Sequence, residues 1–294
     1  MTAQVDRHGI AAQGIAAEIS ADGAELCALR DGTGQDYLWP AAPPWPRHAP
    51  VLFPIVGRLA GDTLRHGGRS YRLGQHGFAR DMRFVWVERG PARCTLELCD
   101  SAATRAVYPF GFRFRIAYAV ADAALRMTFT LDNPDATVLP AAMGAHPAFR
   151  WPLRPGIAKS DHALHFAADQ PAPIRRLSGG LLLAEPVASP ISGRTLALDE
   201  SLFAADAIIL DQPAGNALRF AAPVGPAIEV AWQGFRELGL WSRAGGDFLC
   251  IEPWRGFADP VGFAGEFIDK PGLLLIPPGG SATAAMTLRL RPSG

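Results

Sequence analysis

Apolar residues recur at every second position in one short segment after another, and that period constrains the fold more than any other feature. Leu125, Met127, Phe129 and Leu131 alternate with Arg126, Thr128, Thr130 and Asp132. Across residues 112–118 the large apolar side chains fall on one face, and Cys94, Leu96 and Leu98 alternate with Thr95, Glu97 and Cys99. Near the end Met286, Leu288 and Leu290 alternate with Thr287 and Arg289. Side chains on a strand point to opposite faces in turn, so period two predicts strands with one wet face. Helical periodicity is almost absent. Residues 101–107 suit one or two helical turns capped by Ser101.

Turn signals separate these segments. The 31 glycines and 26 prolines are spread along the whole chain, as in all-β proteins built from many short strands. Gly67-Gly68 predicts a hairpin between 63–66 and 69–71, and Gly90-Pro91 joins a strand at 84–87 to one at 93–98. Asp132 to Asp135 reads as a turn. Residues 152–201 are rich in Ala, Pro, Gly and Ser. They read as long connections with short strands, because the same strand pattern resumes on both sides. The expectation is all-β: one large antiparallel β-sandwich, a single domain over residues 1–294.

Composition narrows the partners. Hydrophobic residues at 49% allow a sizeable core, and 28 basic against 28 acidic residues leave no net charge. Nothing here attracts nucleic acid or an anionic membrane over long range, so a small neutral molecule is the expected partner. Cys27, Cys94, Cys99 and Cys250 have neither redox nor metal-ligand spacing, and read as buried free thiols of a cytoplasmic protein. Cys94 and Cys99, an odd number apart, should face opposite ways. Residues 1–20 lack the pattern of a signal peptide, and no apolar run reaches membrane-spanning length.

Four stretches place polar residues where an all-β core favours apolar ones. The run from Pro50 to Leu59 ends in Gly57-Arg58, and an Arg at the end of a buried strand offers a fixed fork of donors. Gln75-His76 lies between Gly74 and Gly77. His146 stands between Gly144-Ala145 and Pro147-Ala148-Phe149; Gly144 allows a close approach of the backbone. Glu252 stands between Cys250-Ile251 and Pro253-Trp254, where burial would raise its pKa and poise it as a base. The histidines carry no acidic or cysteine neighbour at short range, and His162 and His165 would split across a strand, so no metal is expected. A phosphate-binding glycine loop and a Gly-x-Ser-x-Gly elbow are both missing.

In this order, the four stretches resemble the aldose 1-epimerase (galactose mutarotase-like) family, over residues 37–290. The resemblance implies a many-stranded sandwich with a sugar cleft across one sheet, an aldose as partner, no cofactor and no metal, and a monomer or homodimer. It implies that Glu252 is the general base, His146 the general acid, His76 a second active-site histidine and Arg58 a contact to sugar hydroxyls. Asp206 stands where the family places a hydroxyl-binding aspartate. Phe78 and Trp254, beside these residues, suit stacking on the apolar face of a pyranose. The implied reaction is anomer exchange of a hexose through ring opening. Two alternatives accompany it: a hexose-6-phosphate epimerase, for which Arg58, Arg80, Arg243 and Arg255 are candidate cations, and a carbohydrate-binding protein without turnover.

Overall fold

The computed structural model describes residues 6–292; positions 1–5, part of the stretch in which no signal peptide was read, lie outside that range. Two antiparallel sheets dominate. The larger has nine strands, running from Thr195–Ala197 at one edge through Ser281–Arg291, Ala124–Asp132, Arg113–Ala121 and Arg93–Cys99 to Val85–Arg89 at the other. The second has six, in the order Ile208–Leu210, Glu237–Trp241, Phe248–Arg255, Met143–Ala145 and Val51–Leu52, with Ala148–Arg150 also paired to Phe248–Arg255. Among the described residues the α-helix is confined to Ala102–Arg105, closed by the Ser101 capping box.

The clean alternation belongs to the nine-stranded sheet. Leu125, Met127, Phe129 and Leu131 stand opposite Val120, Tyr118, Ile116 and Phe114, all of them buried. Each such side chain contributes roughly 1.5–3 kcal/mol by leaving water, and facing pairs hold the register. Cys94 is buried and Cys99 exposed, on opposite faces as their spacing requires; Cys27 and Cys250 are buried as expected, and Cys99 is not, because it lies on the wet face of its strand. Gly67 and Gly68 both take positive φ, 59° and 71°, which gives the hairpin turn between Thr63–His66 and Arg69–Arg72 the twist of its strands.

The six-stranded sheet has no such pattern because both of its faces are covered. Seven of the eight residues of Phe248–Arg255 are buried, as are all of Met143–Ala145 and Ile208–Leu210. One hydrophobic cluster extends from Ile10 to Leu290 and takes in residues of both sheets. The irregular residues 152–201 supply the edge strand Thr195–Ala197, its neighbour Ala163–Phe166 and the small hairpin Leu177–Ser178/Leu181–Leu182. No helix of the described residues is long and apolar enough to cross a membrane.

Candidate active site

The central strand Phe248–Arg255 carries the site. Two short strands pair with it in succession, Gly144 opposite Trp254 and Ala148 opposite Cys250. The same register puts His146 opposite Glu252, in the break between the two short strands. Pro147 helps to make that break and its carbonyl accepts from the Ile251 N–H at 3.3 Å. His146 Nε2 comes within 3.2 Å of Glu252 Oε2, and the side chains are 9% and 2% exposed. The contact lacks hydrogen-bond alignment, since Glu252 Oε2 and His146 Nδ1 are both buried without a partner.

Burial sets the electrostatics. It raises the Glu252 carboxyl well above the usual range, and the Asp206 carboxylate adds to the rise. Burial also lowers His146 to about 3, with the Arg80 and Arg47 cations pushing the same way. A low-dielectric floor disfavours charge on either group.

His76 is the second histidine of the cleft, 5.6 Å from His146 between ring centroids. Its Nδ1 accepts from the Gly57 N–H at 3.1 Å, which leaves the ring proton on Nε2, beside the Gln75 side chain. Burial, His146 and the nearby arginines hold its pKa well below 6.5. Gly57 has φ +73°, and a Cβ there would stand 2.6 Å from that of Ala258. The His76 N–H also donates to the Gly57 carbonyl at 2.8 Å, so two bonds hold the two residues together.

Trp254 lies flat across the sheet. A Cβ on Gly144 would meet its Cδ1 at 2.6 Å, and one on Gly239 its Cη2 at 2.4 Å. The close approach read at Gly144 is therefore an indole. The cleft encloses about 290 Å³, at the small end of ligand sites and suited to a single ring. His76, His146, Asp206, Glu252 and Trp254 all line it.

Two other sequence candidates stand elsewhere. The Arg58 guanidinium is bound twice by Asp62, at 2.7 and 3.1 Å, and lies outside the cleft lining. The Asp four residues on captures it before it can turn inward. Phe78 packs on Phe53 and Phe112, with centroids 6.0 and 5.9 Å away, and belongs to the core. Of the other arginines considered, Arg80 and Arg243 line the cleft and Arg255 does not. Arg80 Nε is buried with no hydrogen-bond partner.

Trp45 and Trp241 were not among the candidates. Trp45 stacks on His146 with centroids 5.1 Å apart and planes at 25°, while Trp241 meets the same ring edge-on at 5.9 Å. The one sequence signal for Trp45 is its place in Pro43-Pro44-Trp45-Pro46, a stiffened run that presents an aromatic. Cys250 was also passed over. Its sulfur, an imidazole nitrogen of His146 and a carboxylate oxygen of Glu252 lie within 4.8 Å of one another. The two strand residues share a face, and the sheet register supplies the histidine.

Known proteins agree with this layout. The galactose mutarotase related enzyme from Lactobacillus acidophilus superposes with a TM-score of 0.89 at 30% identity, over 98% of each chain. A galactose mutarotase-like protein from Lactobacillus casei gives 0.90 at 27% identity, over 97% of this chain and 100% of that one. The chromosomal protein LacX of Lactococcus lactis is 30% identical across 87% of this chain and 90% of its own length. The aldose 1-epimerase family profile matches residues 8–270. With that match spanning the whole six-stranded sheet and the whole cleft, the chain belongs to the aldose 1-epimerase family.

Proposed function

We propose that the cleft binds a free aldose and exchanges its anomers by acid/base ring opening. The observation that carries this reading is the buried pair His146–Glu252 at 3.2 Å, with unpartnered polar atoms in a ring-sized cleft. Glu252 as carboxylate takes the proton of the C1 hydroxyl, and the O–H electron pair becomes the new C1=O bond. The C1–O5 bond breaks, and O5 takes a proton from His146 as imidazolium. Rotation about C1–C2 and closure from the other face reverse these transfers. After opening, the carboxyl is protonated and the imidazole neutral, which is the state that burial favours.

The remaining groups hold the sugar. The Nε2–H of His76 is oriented by Gly57 and donates to a sugar oxygen. Trp45, Trp241 and Trp254 form apolar walls for the C–H faces of the ring. Asp206 accepts from a hydroxyl at the rim. The test is anomer exchange followed by NMR on a panel of free aldoses. Exchange well above the buffer rate for at least one supports the reading; tight sugar binding with no exchange favours a binding protein on the same fold.

A second reading rests on Arg80 and Arg243. Both line the cleft; Arg80 Nε makes no hydrogen bond and stands 3.7 Å from Asp81 Oδ2, while Arg243 makes no carboxylate contact among the described residues. Two cations on the lining of one cleft suit an aldose bearing a phosphate, and phosphorylated aldoses belong in the same panel.

A further inference from the structure

We propose that the floor of the cleft is a binding site for a thiophilic dication, Zn²⁺ above all, with His146, Cys250 and Glu252 as its protein ligands. The three donor atoms lie within 4.8 Å of one another and all three residues are buried. The 3.2 Å between His146 Nε2 and Glu252 Oε2 is close to the edge of a tetrahedron with metal–ligand bonds of roughly 2.0–2.3 Å. Imidazole, thiolate and carboxylate are the ligand types that Zn²⁺ takes, and three protein ligands leave a fourth position open toward the cleft.

Two further observations point to a ligand. Glu252 Oε2 is buried and unpartnered, in a side chain only 2% exposed. A second cluster of the same residue types, Glu25, Cys27 and His48, supplies the contrast. There the carboxylate is already bound by the backbone N–H groups of His48 and Ala49, at 2.8 and 2.9 Å. At the cleft floor no backbone N–H takes that place.

Charge balance favours the same conclusion. Thiolate, carboxylate and neutral imidazole together carry two negative charges, so Zn²⁺ makes the cluster neutral. The surroundings are Trp39, Ala148 and Phe248, with Trp45 and Trp241 against them, and neutrality matters most in such a medium. A metal held here takes the lone pairs of both groups that the proposed ring opening needs, so occupancy switches that reaction off. This consequence rests on the acid/base reading; the binding site does not.

The experiment uses full-length protein carrying Cys99→Ser, which removes the exposed thiol, titrated with Co²⁺ and with Zn²⁺. A cobalt–thiolate charge-transfer band at one equivalent, displaced by Zn²⁺, is the expected result. Cys250→Ser in that background should abolish the band and weaken Zn²⁺ binding by more than the ~10–100-fold that loss of an outer partner costs. Cobalt bound without the band, no binding, or binding unchanged by Cys250→Ser overturns the site. If Cys250→Ser does not fold, loss of the band in Glu252→Gln decides the question. A band without loss of anomer exchange would leave the metal site standing and refute the acid/base reading.

Discussion

His146 Nε2 and Glu252 Oε2 stand 3.2 Å apart, the acid on the central strand and the histidine in the two-residue break between the short strands paired with it. The register Gly144–Trp254 and Ala148–Cys250 on either side of them holds the distance. Reacting groups carried by a buried sheet lose little of their alignment to motion.

If these two groups share one transition state, Glu252→Gln and His146→Asn should each lower kcat for anomer exchange by roughly 10²–10⁴-fold. The double variant should be little worse than either single one, because residues acting as a unit are not additive. Polarimetry and NMR exchange measure this directly. A Glu252→Gln protein that folds normally and exchanges anomers at the wild-type rate would make Glu252 a structural carboxylate.

Stability should depend on pH in opposite directions through the two groups. Burial holds His146 near 3 against 6.5 in the unfolded chain, and His76 moves the same way. Their contribution is complete above about pH 6.5 and is lost on acidification. Glu252 is raised above 4.5, so the folded protein keeps a proton that the unfolded chain releases. Its contribution falls as pH rises above 4.5. Gln cannot ionise, so Glu252→Gln should gain on wild type by up to ~1.4 kcal/mol per pH unit over that window. Urea denaturation at pH 5 and pH 8 reads the difference; a gap independent of pH would contradict it.

Gly144→Ala puts a methyl group 2.6 Å from Trp254 Cδ1. The indole must shift, at a cost of about 1–3 kcal/mol, and with it one wall of the cleft. KM for the sugar should rise while the circular dichroism spectrum stays β-rich. An unchanged KM would remove Trp254 from the sugar site.

The phosphate reading separates two arginines. Arg80→Ala should raise KM for a 6-phosphorylated aldose and leave the free sugar nearly unchanged, whereas Arg255→Ala, outside the cleft lining, should affect neither. Equal effects of Arg80→Ala on both substrates would exclude phosphate recognition by that side chain.

Much of this protein follows from local sequence alone. The strands at Arg93–Cys99, Arg113–Ala121, Ala124–Asp132 and Ser281–Arg291 were legible because one face meets water and the other the core. That contrast is written as period two. The hairpin at Gly67-Gly68 and the cap at Ser101 were legible because turn and cap chemistry is local. His146 and Glu252 stood out as polar residues in apolar, proline-marked stretches, and their order resembled a known family.

Tertiary structure decided the rest. Phe248–Arg255 is covered on both faces, so its strand carries no alternation to read. Arg58 and Arg80 look alike in sequence, yet Asp62 holds the first outside the cleft while the second lines it. Trp45 reaches His146 from a hundred residues away in the chain, and Cys250 joins the histidine only through strand register. Sequence records each residue's preference for water or core, within reach of its neighbours. Which distant side chains share a cleft depends on how sheets pair and pack, and that information is carried by long-range contacts rather than by any local pattern.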